Sequence, residues 1–174
     1  VEHNTVHHQL QLPPEAEEVD YIWVPNSNQG TVSKVSTHTG AEVARYRVNP
    51  RSDEFTFTTI VDNEGNCWAA NSRSGSVVKI GLLENYKCTD RNHNGIIDTS
   101  HDLDHNGVIT GAELLAWGQD ECVLFETILV PGSEGTYTPG SYTGSYGNYD
   151  YGVRSMAVDL DNNLWAGNYN ARLY

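Results

Sequence analysis

Carboxylate and amide side chains are concentrated in one segment of the chain, residues 90–113, and their spacing is regular. In the twelve residues DLDHNGVITGAE, 102–113, oxygen-bearing side chains stand at positions 1, 3, 5, 9 and 12, with glycine at position 6. The candidate ligands are Asp102, Asp104, Asn106, the carbonyl of Val108 at position 7, Thr110 and Glu113. A tight loop with this spacing turns alternate residues inward and offers a hard cation about six to eight oxygens. The sequence therefore predicts a calcium site in this loop.

A second, incomplete copy of the pattern lies immediately upstream, in DRNHNGIID, 90–98. Its candidate ligands are Asp90, Asn92, Asn94, the carbonyl of Ile96 and Asp98. Position 12 is His101, a poor calcium ligand, so the next residue, Asp102, is the candidate to close this first loop while it opens the second. We therefore predict one calcium ion in the second loop and allow a second ion in the first, with a metal-free surface loop as the alternative.

The pattern in 102–113 matches the calcium loop of EF-hand proteins, and two abutting loops resemble thrombospondin type 3 repeats and, loop by loop, dockerin modules. The EF-hand resemblance implies an exit helix after the loop. The residues AELLAW, 112–117, are strong helix formers followed by Gly118, and they are predicted to form that helix. Dockerins separate their two loops by a helix, whereas these two loops abut.

Cys88 and Cys122 bracket the acidic segment, and we expect them to form a disulfide around an insertion. Cys67 is then unpaired, either as a small buried residue in a strand or as a reactive thiol. We expect the insertion to lack a core of its own, so that metal and disulfide replace one. A disulfide and a calcium site are both typical of an oxidising, calcium-rich extracellular setting.

The rest of the chain consists of short strands that repeat. Three segments share a Trp followed three residues later by Asn: IWVPNSNQGTVSKV (22–35), CWAANSRSGSVVKI (67–80) and LWAGNYNARLY (164–174). Two further segments, TTIVDNEGNCW (58–68) and SMAVDLDNNLW (155–165), match each other. Each is predicted to form a hairpin, because Asn and Gly in the turn reach positive φ easily. A repeat of about 45 residues with short strands is typical of a β-propeller blade.

These repeats resemble the NHL and virginiamycin B lyase-like propellers, in which a VDxxGNxW hairpin and a hairpin with Thr-Gly at its turn recur. The second hairpin here is SKVSTHTGAEVARYRV, 33–48. The resemblance implies an all-β fold with propeller blades and an inserted calcium-binding loop and helix, and a β-sandwich is the alternative. The implied divisions are an N-terminal extension (1–18), a first blade (about 19–50), a second blade (about 51–131) with the insert (88–122), a Gly/Tyr-rich loop (132–152) and a partial third blade (153–174). With about two and a half blades, the chain is expected to be a fragment or a subunit that needs partner strands.

The charge balance and the missing motifs limit the function classes. Acidic residues outnumber basic ones 23 to 10, which argues against nucleic acid or an anionic membrane as a partner. No apolar stretch is long enough to span a membrane, no leader peptide is recognisable at the start, and no catalytic motif appears.

We therefore expect a secreted or cell-surface calcium-binding scaffold for adhesion, matrix or filament assembly. Its expected partners are other protein subunits, the remainder of a longer chain or carbohydrate. The alternatives are a propeller lyase or hydrolase whose catalytic blades lie outside this chain, and a dockerin-like tethering module.

Overall fold

The computed structural model describes residues 2–4, 9–11, 20–129, 137–138, 141–142, 151–170 and 172–174. Within these ranges the chain is all-β with antiparallel sheets, as the sequence predicts, and it contains no α-helix. None of the helical turns in this part of the chain is long or apolar enough to cross a membrane. Most of the predicted N-terminal extension and of the Gly/Tyr-rich loop lies outside the described residues.

Three sheets carry the fold, and two short hairpins accompany them. The first sheet holds β3 (Tyr21–Asn26), β4 (Thr31–Ser36) and β5 (Glu42–Arg47); the second holds β6 (Thr56–Val61), β7 (Cys67–Asn71), β8 (Ser76–Ile80) and β9 (Val123–Ile128); the third holds β12 (Val153–Val158) and β13 (Leu164–Asn168). The short hairpins are β1 (Glu2–Asn4) with β2 (Gln9–Gln11), and β10 (Tyr137–Thr138) with β11 (Ser141–Tyr142). Strands are consecutive within each sheet, so every pairing is a simple up-and-down connection.

In each repeated hairpin the Asp of the Val-Asp pair lies at the turn, and its carboxylate binds the indole of the repeated Trp. Asp62 accepts hydrogen bonds from the side-chain amide of Asn66 (3.1 Å) and the indole of Trp68 (3.2 Å). In the third sheet Asp159 accepts the corresponding bonds, at 3.0 and 3.0 Å, from the residues four and six positions later. The hairpins predicted at 58–68 and 155–165 are therefore confirmed.

Neighbouring sheets are joined by hydrogen bonds as well as by packing. The Thr59 hydroxyl in the second sheet donates to the Trp23 carbonyl in the first (2.9 Å), and the Asn63 amide donates to the Asp159 carbonyl in the third (3.1 Å). Apolar side chains of the first two sheets, among them Val32 and Val78, share one buried cluster. The sheets in the described ranges do not close into a ring, so the propeller stays a prediction.

The insertion is the whole connection from β8 to β9, residues 81–122, so it begins before the predicted boundary at residue 88, and it packs on the first sheet as well as on the second. His101 forms an antiparallel bridge with Ala44, on the edge of β5 that β4 leaves free. Ile109 is fully buried, and Ile97 and Trp117 pack against the cluster shared by the first two sheets. Apolar side chains of the insertion therefore pack into the core of the first two sheets. The sequence did not indicate this contact.

The prediction of an exit helix over residues 112–117 is wrong. A 3₁₀ turn, Gly111–Glu113, is followed by Leu114 in an extended conformation (φ −95°, ψ 101°). The backbone N–H of Leu115 donates to the Ser100 hydroxyl (3.0 Å) instead of to a helical carbonyl. Six residues form a marginal helix without supporting contacts, and here the tertiary contacts, including the packing of Trp117, favour an irregular path.

Candidate metal centre

A disulfide closes the insertion at its base. Cys88 and Cys122 are bonded, with their Cα atoms 4.4 Å apart, as the sequence predicts. Cys67 is free and buried, which confirms its interpretation as a core residue. The two acidic loops are thus held at the end of β8 and the start of β9.

The second loop, 102–113, is organised by hydrogen bonds from its backbone to its own acidic and amide side chains. Asp102 Oδ2 accepts from Gly107 N (2.8 Å), and Asn106 Oδ1 accepts from Val108 N (2.8 Å). Gly107 has φ of 80°, which explains why glycine stands at position 6. The N–H of Gly107 holds the pKa of the Asp102 carboxyl below its ordinary value. The loop is thus wound tightly around its first carboxylate.

Three carboxylates of the second loop meet at one point. Asp102, Asp104 and Glu113 each offer one oxygen, and these oxygens lie within 4.8 Å of one another. Glu113 is oriented by the backbone N–H groups of Leu103 (2.9 Å) and Thr110 (3.3 Å). Like charges this close repel, and a hard divalent cation both relieves the repulsion and takes such oxygens as ligands. Their chemistry and spacing therefore fit Ca²⁺.

The first loop, 90–98, has the same backbone course as the second. Asp90 Oδ2 accepts from Gly95 N (2.9 Å), Asn92 Oδ1 from Asn94 N (2.9 Å), and Asn94 Oδ1 from Ile96 N (2.8 Å). Gly95 has φ of 86°, which matches the glycine of the second loop. Residues 90–98 thus repeat the local geometry of residues 102–110.

The polar side chains of the first loop also meet, although in a different arrangement. The side-chain amides of Asn92 and Asn94 donate to Asp98 Oδ2 at 2.7 and 3.2 Å. Both amide nitrogens thus occupy Asp98 Oδ2, and a cation that takes this oxygen as a ligand would displace them. His101, which stands at position 12 of the first loop, is exposed. Its Nδ1 lies 2.8 Å from the carbonyl oxygen of Thr99.

Two buried carboxylates that the sequence analysis missed support the loops from outside. Asp120, 2% exposed, accepts from the Ser100 backbone N–H (2.8 Å) and from the Thr99 hydroxyl (2.9 Å), and burial raises the pKa of its carboxyl. Glu121, also 2% exposed, accepts from backbone N–H groups of the first loop. The only signal in the sequence is that Asp120 and Glu121 are the two residues before Cys122.

Comparison with protein-family models, curated proteins and solved structures finds no match for this chain. What the chain does must therefore be inferred from its own residues.

Proposed function

We propose that this chain forms blades of a β-propeller and that its insertion binds calcium in a structural role, in an extracellular scaffold for adhesion, matrix or filament assembly. The observation that carries the calcium proposal is the meeting of the Asp102, Asp104 and Glu113 carboxylates within 4.8 Å. Three acidic side chains placed by one tight loop are an arrangement that a hard cation stabilises.

The repeated hairpins support the propeller. Asp62 and Asp159 bind the Trp of their own hairpins in the same way, and the first strands of the second and third sheets, β6 and β12, are neighbours. Sheets that repeat one internal motif and contact only their neighbours are typical of this architecture.

A structural role for the ion follows from where the loops are attached. Lys34 in the first sheet pairs with Glu84 in the insertion at 2.7 Å, and Ile109 N lies 3.5 Å from Glu42 Oε2. The insertion itself is part of the connection between two strands of the second sheet. An ion that orders the second loop therefore also fixes the contact between the two sheets.

An exposed apolar surface supports a role in assembly. Ile22 and Val24 on β3 are 51% and 39% exposed, and both lie on one side of the first sheet. A further sheet or another subunit can cover them. The disulfide and a calcium site of this type both suit an extracellular location.

The tethering module is less favoured. A dockerin-like module has a helix between its two loops, and the described part of the insertion has only two 3₁₀ turns, Leu83–Asn85 and Gly111–Glu113. Neither turn separates residues 90–98 from residues 102–113.

Calcium titration tests the proposal. We expect isothermal titration calorimetry to detect calcium binding by the wild-type chain, and Glu113→Gln to abolish the second-loop event. Chelation should lower the melting temperature and open the insertion to limited proteolysis. As a matched control, Glu64→Gln alters an exposed acid outside the loops and should leave binding unchanged. A wild-type chain that gives no binding heat and the same melting temperature in calcium and in chelator would overturn the proposal.

A further inference from the structure

Glu121 holds the first loop by the same three backbone N–H groups by which Glu113 holds the second. Counted from the first aspartate of each loop, these N–H groups belong to positions 2, 3 and 9. The distances are 2.7, 3.2 and 2.9 Å to Glu121, and 2.9, 3.3 and 3.3 Å to Glu113. In both loops one carboxylate oxygen accepts from positions 2 and 3, and the other accepts from position 9. Glu121 therefore has the place relative to the first loop that Glu113 has relative to the second.

Asp102, the residue that the sequence offers to close the first loop, is engaged in the second. Its Oδ1 and Oδ2 accept from two N–H groups of the second loop, at 3.2 and 2.8 Å. Its oxygens also belong to the group that meets Asp104 and Glu113. The first loop thus depends on another acid for its closing ligand.

An independent observation points to a cation at the first loop. Asp90 Oδ1 is shielded from solvent and has no hydrogen-bond partner among the described residues, while its Oδ2 accepts from Gly95 N. A buried carboxylate oxygen without a donor is costly, and buried charges are usually paired or bound to metal. Glu121, itself 2% exposed, adds a fully buried carboxylate to the partly buried carboxylate of Asp90. A divalent cation supplies the partner that Asp90 Oδ1 lacks and balances both charges.

The disulfide and Arg91 hold Glu121 next to the first loop. Thr89 N donates to the Glu121 carbonyl (3.2 Å), and Glu121 N donates to the Asp98 carbonyl (2.9 Å), beside the Cys88–Cys122 bond. The guanidinium of Arg91 donates to three carbonyls of the returning chain, those of Gly118, Asp120 and Val123 at 3.3, 2.8 and 3.3 Å. Residues 118–123 are therefore held against the first loop by hydrogen bonds and the disulfide.

We propose that the first loop is a complete second calcium site and that Glu121, from beyond the second loop, is its bidentate closing ligand. The other ligands are Asp90, Asn92, Asn94, the Ile96 carbonyl and Asp98. This assignment rests on the proposed function, because it extends the calcium binding proposed there for the insertion from the second loop to the first. It makes the two sites separate, with no shared carboxylate.

Calorimetric calcium titration of four chains tests the assignment: wild type, Glu121→Gln, Glu113→Gln and the double variant. We expect two ions for wild type, one for each single variant, and none for the double variant. Two ions with unchanged affinities in Glu121→Gln overturn the assignment, and so does a wild-type chain that binds one ion and loses it in Glu113→Gln. A wild-type chain that binds no calcium refutes the proposed function itself, so the two failures are distinct.

A crystal structure of the wild-type chain grown in calcium needs no variant to fold. We expect anomalous density at both loops, with the ion of the first loop about 2.3–2.6 Å from both oxygens of Glu121. Density at the second loop alone, or an ion in the first loop that contacts Asp102 in place of Glu121, overturns the assignment.

Discussion

Lys34 Nζ lies 2.7 Å from Glu84 Oε1 and 2.9 Å from Oε2, and this ion pair joins the first sheet to the insertion. The ammonium is 2% exposed, whereas the carboxylate is 40% exposed. Burial lowers the pKa of Lys34, and the Glu84 carboxylate offsets part of that effect. Glu84 therefore supplies the counter-charge of a buried ammonium, which also lies 4.5 Å from the centre of the Tyr21 ring.

Removing that charge should destabilise the chain. We expect Glu84→Gln to lower the unfolding free energy by about 1–3 kcal/mol, because a buried ammonium loses its counter-charge. The exposed pair Lys87–Glu64, 3.1 Å apart, provides the control, and Glu64→Gln should cost less than about 1 kcal/mol. Urea denaturation measures both. Equal losses in the two variants would show that the Lys34 pair is an ordinary surface contact.

Loss of the disulfide should weaken one calcium site more than the other. The bond spans 34 residues, so Cys88→Ser with Cys122→Ser should lower the unfolding free energy by about 3–4 kcal/mol in the chain-entropy model. Glu121 precedes Cys122, so the affinity of the first loop should fall while that of the second is kept. Calorimetry on the double variant checks this, with Cys67→Ala as a control that leaves the bond intact. A uniform loss at both sites contradicts the prediction.

Ile109 should anchor the second loop to the first two sheets. It is fully buried, whereas its neighbour Val108 is 49% exposed. We expect Ile109→Ala to lower the unfolding free energy by about 2–4 kcal/mol and Val108→Ala by less than about 0.5 kcal/mol. Denaturation of both variants at saturating calcium gives the comparison. If the two substitutions cost the same, the loop does not depend on this contact.

Asp62 should make the unfolding free energy of the chain depend on pH under acidic conditions. Burial alone raises the pKa of its carboxyl, but hydrogen bonds from Asn66 and Lys79 outweigh burial, and the pKa lies below the ordinary 3.8. A folded pKa below the unfolded one means that the carboxylate contributes stability which is complete above about pH 4 and is lost as pH falls through the folded pKa.

The test is the difference in unfolding free energy between wild type and Asp62→Asn. We expect about 1–3 kcal/mol at neutral pH, because the buried partners of the carboxylate lose a charged acceptor, and a steadily smaller difference below about pH 4. Asp161→Asn, at an exposed turn of the third sheet, should show no such trend. A difference for Asp62→Asn that stays constant down to the lowest pH would exclude this origin.

Local signals in the sequence were sufficient for much of this structure. In each hairpin turn the Asp binds the Asn four residues later, so the repeated sequence and its turn residues were enough to predict the hairpins at 58–68 and 155–165. The backbone bonds of both acidic loops are equally local, and the two cysteines that flank them were recognisable as a pair.

Contacts between distant residues were not predictable in the same way. The segment 112–117 has helical propensity, but the Ser100 hydroxyl takes the Leu115 N–H, and no local pattern indicates that bond. Glu121 lies 23 residues from Asp98, whose N–H it accepts. Its place could have been anticipated only by treating the disulfide as a geometric constraint that returns residue 121 to residue 90.

Lys34 and Lys79 occupy matching places, each opposite the repeated Trp of its sheet. Lys79 pairs with Asp62 of its own sheet at 3.1 Å, whereas Lys34 pairs with Glu84 of the insertion. Removing the insertion by joining β8 directly to β9 would therefore leave the buried Lys34 ammonium of the first sheet without its counter-charge. A shortened chain without these residues would therefore be best made with Lys34 replaced by an uncharged residue at the same time.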